Sequence, residues 1–451
     1  MMIAKFIFAV LRLLKRGATS LPGKIALKIK PDILNTLSEN VKIICVTGTN
    51  GKTTTCALLE HYFKERGISY FINKGGANMI SGVATAFIVN STIFGRCKKE
   101  YAILECDENS LPLISSYLDA QIIVVTNIFN DQLDRYGDIM HVYNQIKKAI
   151  INTPKATLVL NGDCPLTYSL SRCCNNLVYT FGTNLDGCNI YAENYYCPVC
   201  SKKLNYSSKA FAQLGNYSCG NCDFKRPKLD FVITDLIKSD ENGSEFLYFL
   251  NRKMYQTRIS LGGVYNLYNY ACASLTLLLL GESNLKILSD FGGTFGRLET
   301  FCCGNKSIKI MLIKNSVGFN GCVDYAAKLS GNYNYVFALN DNSADGVDVS
   351  WIWGVNLDDR LTNINKCYTI GKRTFDMSVR LKYASIRVDE VIENENYQRL
   401  IEIIGNSSND FVIFATYTAM MKMRHLFTQK YGGKEFWSWT NLQFYIYIQR
   451  N

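Results

Sequence analysis

The sequence predicts an α/β protein with two domains. The first is a P-loop domain on a mainly parallel sheet, carrying an inserted four-cysteine zinc ribbon. The second is a C-terminal Rossmann-like α/β domain. Three observations predict this. Apolar runs of strand length alternate with helix-length stretches in both halves of the chain, the pattern of a doubly wound sheet. One early run ends in a glycine-bearing turn followed by Lys-Thr-Thr and a helical pattern. Two Cys-x-x-Cys knuckles stand eighteen residues apart.

Composition narrows the class. A chain of 451 residues exceeds one ordinary core. Hydrophobic residues at 48% and charged ones at 19% describe a soluble globular protein rather than a disordered or membrane-spanning one. A net charge of +11 fits an anionic substrate or surface and does not by itself argue for nucleic acid. The 17 cysteines are odd in number and spread along the chain, so a disulfide framework is not expected and the cytosol is the natural compartment.

The N-terminus, MMIAKFIFAVLRLLKRG, is interrupted by Lys5, Arg12, Lys15 and Arg16. It is too short and too charged to span a bilayer, and it lacks a small-residue cleavage site. It suits a helix packed on the protein or one lying at an anionic membrane face. Residues 17–40 read as a turn-rich connector leading into a short helix. Ile43 to Val46 is a strand, and Leu58, Leu59, Tyr62 and Phe63 mark the helix that follows the turn. Thr47, Gly48, Thr49, Asn50, Gly51, Lys52, Thr53 and Thr54 form the expected ATP site. The glycines let backbone N–H groups approach an anion, and the helix N-terminus adds about half a positive charge. Lys52 meets the β/γ-phosphates and the Thr53 hydroxyl faces Mg²⁺. Val46 stands where the general motif has its first glycine.

Further strands are expected at Tyr70 to Asn73, Tyr101 to Cys106, Gln121 to Thr126 and Leu158 to Asn161, with a loop and helix from Gly75. Ligands gather at the carboxyl ends of such strands. Of the acids Glu105, Asp107 and Glu108 there, Glu105 is the Mg²⁺ candidate, against the alternative of a helix cap. The polar run 127–134 is expected to hold metal-bound water and substrate. Cys197, Cys200, Cys219 and Cys222 have the spacing of a structural tetrahedral Zn²⁺ ribbon in a segment, about 190–228, that cannot build much core itself. Cys173-Cys174 and Cys302-Cys303 lack such spacing and read as small residues in or near the core. Strands Leu229 to Ile233 and Phe246 to Leu250 return the chain to the main sheet.

Asn266 and Asn269 lie one helical turn apart, able to read a base edge or to cap a helix. Arg297 behind Gly296 suits a bidentate phosphate contact or a surface ion pair. The last third predicts strands at 308–315, 333–341, 367–371, 384–388 and 410–420. The loop from Asp341 to Trp353 groups Asp345 and Asp348 with two tryptophans. It reads either as an interface, with a carboxylate orienting a partner's histidine, or as two core tryptophans beside solvated acids.

Together, TGTNGKT at 47–53, LECDE around Glu105, the DQLD run, the NLYN pair and GRLE resemble the Mur ligases, ATP-dependent enzymes that join an amine to a carboxylate. GATSLPGKIALKI, NIFNDQLDRYGD, the cysteine insertion, LIKNSVGFN and DGVDVSWIW are similar to the MurT-type synthetase subunits within that superfamily. The resemblance implies a Mur ligase-like central domain at 41–299, a C-terminal domain at 300–451, and an N-terminal helix and connector at 1–40. It implies ATP and Mg²⁺ at Lys52, Thr53 and Glu105, and nucleotide contacts at Asn266, Asn269 and Arg297. The implied reaction amidates the α-carboxylate of D-glutamate in the lipid II stem peptide through an acyl phosphate. The ammonia would come from a separate GatD-type glutaminase, to whose Cys–His pair this chain would lend Asp348 or, less favoured, Asp345. The expected place is cytoplasmic, with contact at the inner membrane face left open, and no nucleic acid partner is expected. Gln132 stands where many amino-acid-adding relatives have histidine, and Lys147 lies near the place of their carbamylated lysine. Gly354 replaces a usual aspartate and Ser316 a usual proline. An amino-acid-adding or folylpolyglutamate-type ligase, and a nucleic-acid-binding zinc-ribbon ATPase, are the competing readings.

Overall fold

The computed structural model describes residues 2–13, 19–73, 77–129, 139–187, 196–240, 243–291, 298–358 and 360–431. They fall into two units, one within residues 1–131 and 136–292, the other within 293–451. Among the described residues no helix is long and apolar enough to cross a membrane.

In the first unit the β-branched runs become strands β1 (Lys42–Thr47), β2 (Tyr70–Ile72), β3 (Tyr101–Glu105), β4 (Ala120–Val125), β5 (Thr157–Asn161) and β6 (Val178–Thr183). After a separate hairpin of β7 (Leu204–Phe211) and β8 (Leu214–Cys219), the chain returns as β9 (Phe231–Asp240), β10 (Gly243–Leu250) and β11 (Lys253–Ile259). The sheet order is β11-β10-β9-β6-β5-β4-β1-β3-β2. Pairing is parallel from β2 across to β9 and antiparallel for β9–β10–β11. The chain winds from β1 to one side through β2 and β3, then to the other through β4. The carboxyl end of β1 is therefore a switch point, where α/β sheets hold ligands.

Helix α1 (Met2–Leu13) is followed by α2 (Leu21–Ile29) and α3 (Ile33–Leu37), so the connector is more helical than its composition suggests. Pro22 sits in the first turn of α2, where its missing N–H costs nothing. Gly23 lies so close to α5 (Ile80–Asn90) that a Cβ would come within 2.0 Å of the Ser81 carbonyl. Helix α4 (Lys52–Glu65) buries Leu58, Leu59, Tyr62 and Phe63 completely, as the periodicity requires. Then come α6 (Leu111–Ser115), α7 (Ile139–Asn152), α8 (Pro165–Ser169) and α9 (Val264–Leu279). Helix α9 is buried from Asn266 to Leu277 without a break, which is why it shows little amphipathic pattern.

The second unit carries β12 (Leu298–Cys303), β13 (Lys306–Leu312), β14 (Tyr333–Ala338), β15 (Ile364–Ile370), β16 (Glu390–Ile392) and β17 (Phe411–Ala415) in the order β12-β13-β17-β14-β15-β16. Among the described strands of this unit, only β12–β13 pair antiparallel. Its helices are α10 (Ser316–Ala326), α11 (Thr374–Tyr383), α12 (Tyr397–Asn406) and α13 (Tyr417–Tyr431). The strand expected at 384–388 is absent. Ser385 turns the chain with φ 57, and Ile386 and Val388 pack on the core from a loop. The ladder forms only at Glu390–Ile392, against Tyr368–Ile370. Cys302, expected in or near the core, is exposed on the edge strand β12.

Candidate active site

The turn after β1 is held from three sides. Gly48 and Gly51 adopt φ of 117 and 89, which only glycine takes without strain. A Cβ on Gly48 would meet the Thr126 hydroxyl at 2.4 Å, and one on Gly51 would meet Asn269 Oδ1 at 2.2 Å. The segment after β4 clamps the turn. Thr49 N–H donates to the Asn127 carbonyl at 2.9 Å. The Asn127 amide accepts from Asn50 N–H and donates to the Asn50 carbonyl, both at 3.0 Å. The Thr126 hydroxyl donates to that same carbonyl at 2.7 Å.

Lys52, at the first turn of α4, is almost fully buried. Its ammonium pairs with Glu108 at 2.5 Å and donates to the carbonyls of Gly48 and Thr49. The Thr53 hydroxyl donates to Glu105 Oε1 at 3.1 Å. Glu105 is fixed through its backbone, whose N–H and carbonyl both bond the Asn73 amide at 2.8 Å. Two hard oxygens are thus side by side at a helix N-terminus, with a cation one residue away. Opposite Gly51, Asn269 Nδ2 donates to Asn266 Oδ1 at 3.2 Å, and Asn266 Nδ2 donates to the Gly262 carbonyl at 2.8 Å. Neither amide acts as the cap of α9, since no side chain caps that helix.

The four cysteines converge, with sulfurs all within 4.8 Å of one another and Cys197–Cys222 and Cys200–Cys219 at 3.6 and 3.4 Å. Leu204, Tyr217 and Phe224 make a small core beneath them. The Lys202 backbone N–H, followed by neighbouring thiols, lowers the Cys200 thiol to about 6. A buried anchor ties this module to the sheet. Arg226 Nε pairs with Asp163 at 2.6 Å, and Asp163 also accepts from Tyr268 at 2.7 Å and Thr183 N–H at 2.8 Å. Burial raises the Asp163 carboxyl, and the Arg226 charge opposes that rise. At the hairpin tip Gln213 donates to the Ile128 carbonyl at 3.0 Å, one residue from Phe129, whose N–H bonds the Thr49 hydroxyl.

In the second unit the loop after β14 separates its two aspartates. Asp345 is buried and accepts from Thr418 N–H at 2.7 Å and from the Thr418 hydroxyl, holding the start of α13. Asp348 is half-buried and accepts from Ser350 N–H and hydroxyl, both at 2.8 Å. Trp351 packs edge-on to Phe319, while Trp353 is 52% exposed against Tyr383 and Arg380.

The Mur ligase middle domain family model matches residues 46–212, and the MurT ligase C-terminal model matches 312–420. The MurT subunit of lipid II isoglutaminyl synthase (glutamine-hydrolyzing) from Streptococcus pneumoniae is 37% identical over 432 residues, covering 93% of this chain and 94% of that protein. The chain belongs to the MurT family. The Staphylococcus aureus MurT subunit is 33% identical over 430 residues, with 93% and 94% covered. Two solved structures share the Mur ligase fold at lower identity. A pseudomurein peptide ligase type C from Methanothermus fervidus aligns with TM-score 0.66 and 19% identity, covering 86% of this chain and 79% of that one. The MurF ligase of Thermotoga maritima, solved in complex with ADP, aligns with TM-score 0.62 and 14% identity, covering 90% and 84%.

Within this MurT-family chain the structure brings Gly48, Gly51, Lys52, Thr53, Glu105 and Asn269 to one place and the four cysteines to another. Arg297 and the 130–134 part of the polar run, Gln132 included, lie outside the described residues. The two departures from the family pattern in the C-terminal half meet, since a Cβ at Gly354 would lie 3.2 Å from the Ser316 Cβ. Sequence reading passed over the Lys52–Glu108 pair, because three acids follow β3 and spacing alone does not choose among them. Asn73, Asn127 as a clamp, and Gln213 carried no motif signal at all.

Proposed function

We propose that this chain is the synthetase subunit of a lipid II isoglutaminyl synthase. It would amidate the α-carboxylate of D-glutamate in the stem peptide in an ATP-dependent reaction, with ammonia from a GatD-type glutaminase subunit. The observation that carries this is the folded phosphate cradle around Lys52 in a chain colinear with MurT subunits over nine-tenths of its length.

The residues fit ATP and Mg²⁺. Gly48 and Gly51 take the positive φ that leads the turn into the N-terminus of α4, a position that favours phosphate, and Thr53 with Glu105 offers oxygens that Mg²⁺ prefers. When bound, ATP·Mg²⁺ supplies the phosphoryl group that turns an inert carboxylate into an acyl phosphate. Lys52, paired here with Glu108, would offset negative charge on the phosphates. Asn127 and Thr126 keep the turn rigid, so little reorganisation is needed as charge develops. Asn266 and Asn269 line the cradle toward the nucleotide, and Arg297 is assigned to phosphate. The working domains proposed are 41–299 for nucleotide and 300–451 for the partner.

The four sulfurs are spaced as a tetrahedral Zn²⁺ set requires. Zn²⁺ would join the two knuckles and hold the hairpin whose tip braces Ile128. Asp348 is the better candidate to face the glutaminase, because Asp345 is engaged at the start of α13. The histidines bond elsewhere: His61 to the Ile287 carbonyl, His141 to Asn109 and His425 to Gln429. This supports an ammonia source on another chain.

The test is co-expression with a GatD-type glutaminase gene, followed by mass spectrometry of lipid II. The product should show NH₂ in place of OH, and only when ATP and glutamine are both present. Unchanged lipid II with both subunits and both co-substrates supplied would refute the assignment.

A further inference from the structure

We infer that a face built by α1, the exposed side of α2 and the turn over 91–97 docks on an anionic phospholipid surface. The distribution of charge points there first. Residues 1–31 and 69–99 contain eleven Lys and Arg and no Asp or Glu. The remaining 38 basic residues equal the 38 acidic ones, so these two segments carry the entire net charge of +11.

The fold brings the described parts of the two segments together. Helix α1 packs on α2 and α5, and the Lys5 ammonium donates to the Ser91 carbonyl at the start of the turn. Helix α2 packs on α5 through Gly23, whose N–H donates to Thr85 at 2.9 Å. Helix α2 buries Pro22, Gly23 and Ala26 and presents Lys24 and Lys28 outward. Large apolar side chains stand out among the cations: Ile3 is 60% exposed, Phe6 70%, Ile29 65% and Phe94, at the tip of the turn, 88%. Apolar side chains that enter the headgroup boundary, ringed by Lys and Arg, are the signature of interfacial binding. A nucleic-acid face would instead line a basic groove with stacking aromatics. The twelve residues of α1 cannot span, so attachment would be peripheral.

This inference stands apart from the proposed reaction and is tested without it. The full chain is sedimented with vesicles of phosphatidylglycerol and phosphatidylcholine, and with pure phosphatidylcholine. Binding should require the anionic lipid and fall about tenfold or more between roughly 0.05 and 0.5 M salt. The triple variant Lys24→Glu/Lys28→Glu/Arg96→Glu should weaken it at least about tenfold. Phe94→Ser, at a fully accessible tip, should weaken it several-fold without touching charge or fold. Equal recovery with both vesicle types, or anionic binding untouched by both variants, overturns the inference. So does capture of an RNA oligonucleotide with no vesicle binding.

Discussion

At the scale of single residues, burial decides which charges do what. Lys52 and Glu108 form a pair with side chains 9% and 5% exposed, and removing one partner strands the other. Lys52→Ala should therefore lose amidation by at least about 100-fold and also lower the thermal midpoint. Adding Glu108→Gln should restore the midpoint and not the activity, which melting curves and product mass spectra separate. If the double variant regained activity, Lys52 would not be the phosphate ligand. The two loop aspartates should part in the same way. Asp345→Ala loses acceptor contacts to the Thr418 N–H and hydroxyl at a buried helix start and to the Asn342 N–H in the loop, and should cost about 1–3 kcal/mol of stability. Asp348→Ala should leave melting nearly unchanged and impair glutamine-dependent, partner-dependent turnover. Rescue of that turnover by free ammonia would place the defect at the partner.

At the scale of elements, the hairpin β7–β8 matters most because of where it ends. Its base holds the four thiols, its side is pinned by Arg226 to Asp163, and its tip supports Ile128 beside the clamp on the phosphate turn. Cys197→Ser should abolish bound zinc, expose residues 196–226 to protease, and raise KM for ATP while affecting kcat less. Metal analysis, limited proteolysis and ATP titration read these three effects. Acid acts at the same place. Zn²⁺ binds thiolates, so protons compete with the metal for all four sulfurs. Zinc should therefore be retained at neutral pH and released on acidification, with a chelating dye reporting the release.

At the scale of the whole molecule, two units with separate sheets make a single unfolding transition unexpected. In the C-terminal unit Arg373 holds Asp376, and Arg399 holds Glu390, below the usual carboxylate range. Lowered carboxylates stabilise the fold above their unfolded pKa, and that stability disappears as pH falls through the lowered value. The transition of this unit should therefore weaken below about pH 4, read by calorimetry, and modestly, because both pairs are partly solvent-exposed. An unchanged midpoint across that range would remove these pairs from the stability account.

The local pattern along the chain determined a good deal. The run from Ile43, the helix carrying Leu58 to Phe63 and the Cys-x-x-Cys spacing each announce themselves over a few residues, because strand period, helix period and metal geometry are short-range constraints. Helices α2 and α3, the strand at 390–392 rather than 384–388, and the antiparallel edge of β10 and β11 depend on what they pack against, and no window of sequence contains that partner. The same holds within the site. Gly48, Lys52 and Thr53 are contiguous and legible. Glu108, Asn73, Asn127 and Gln213 stand 32 to 85 residues from the partners they bond and become neighbours only when the sheet is wound, since a contact between distant segments leaves no period behind.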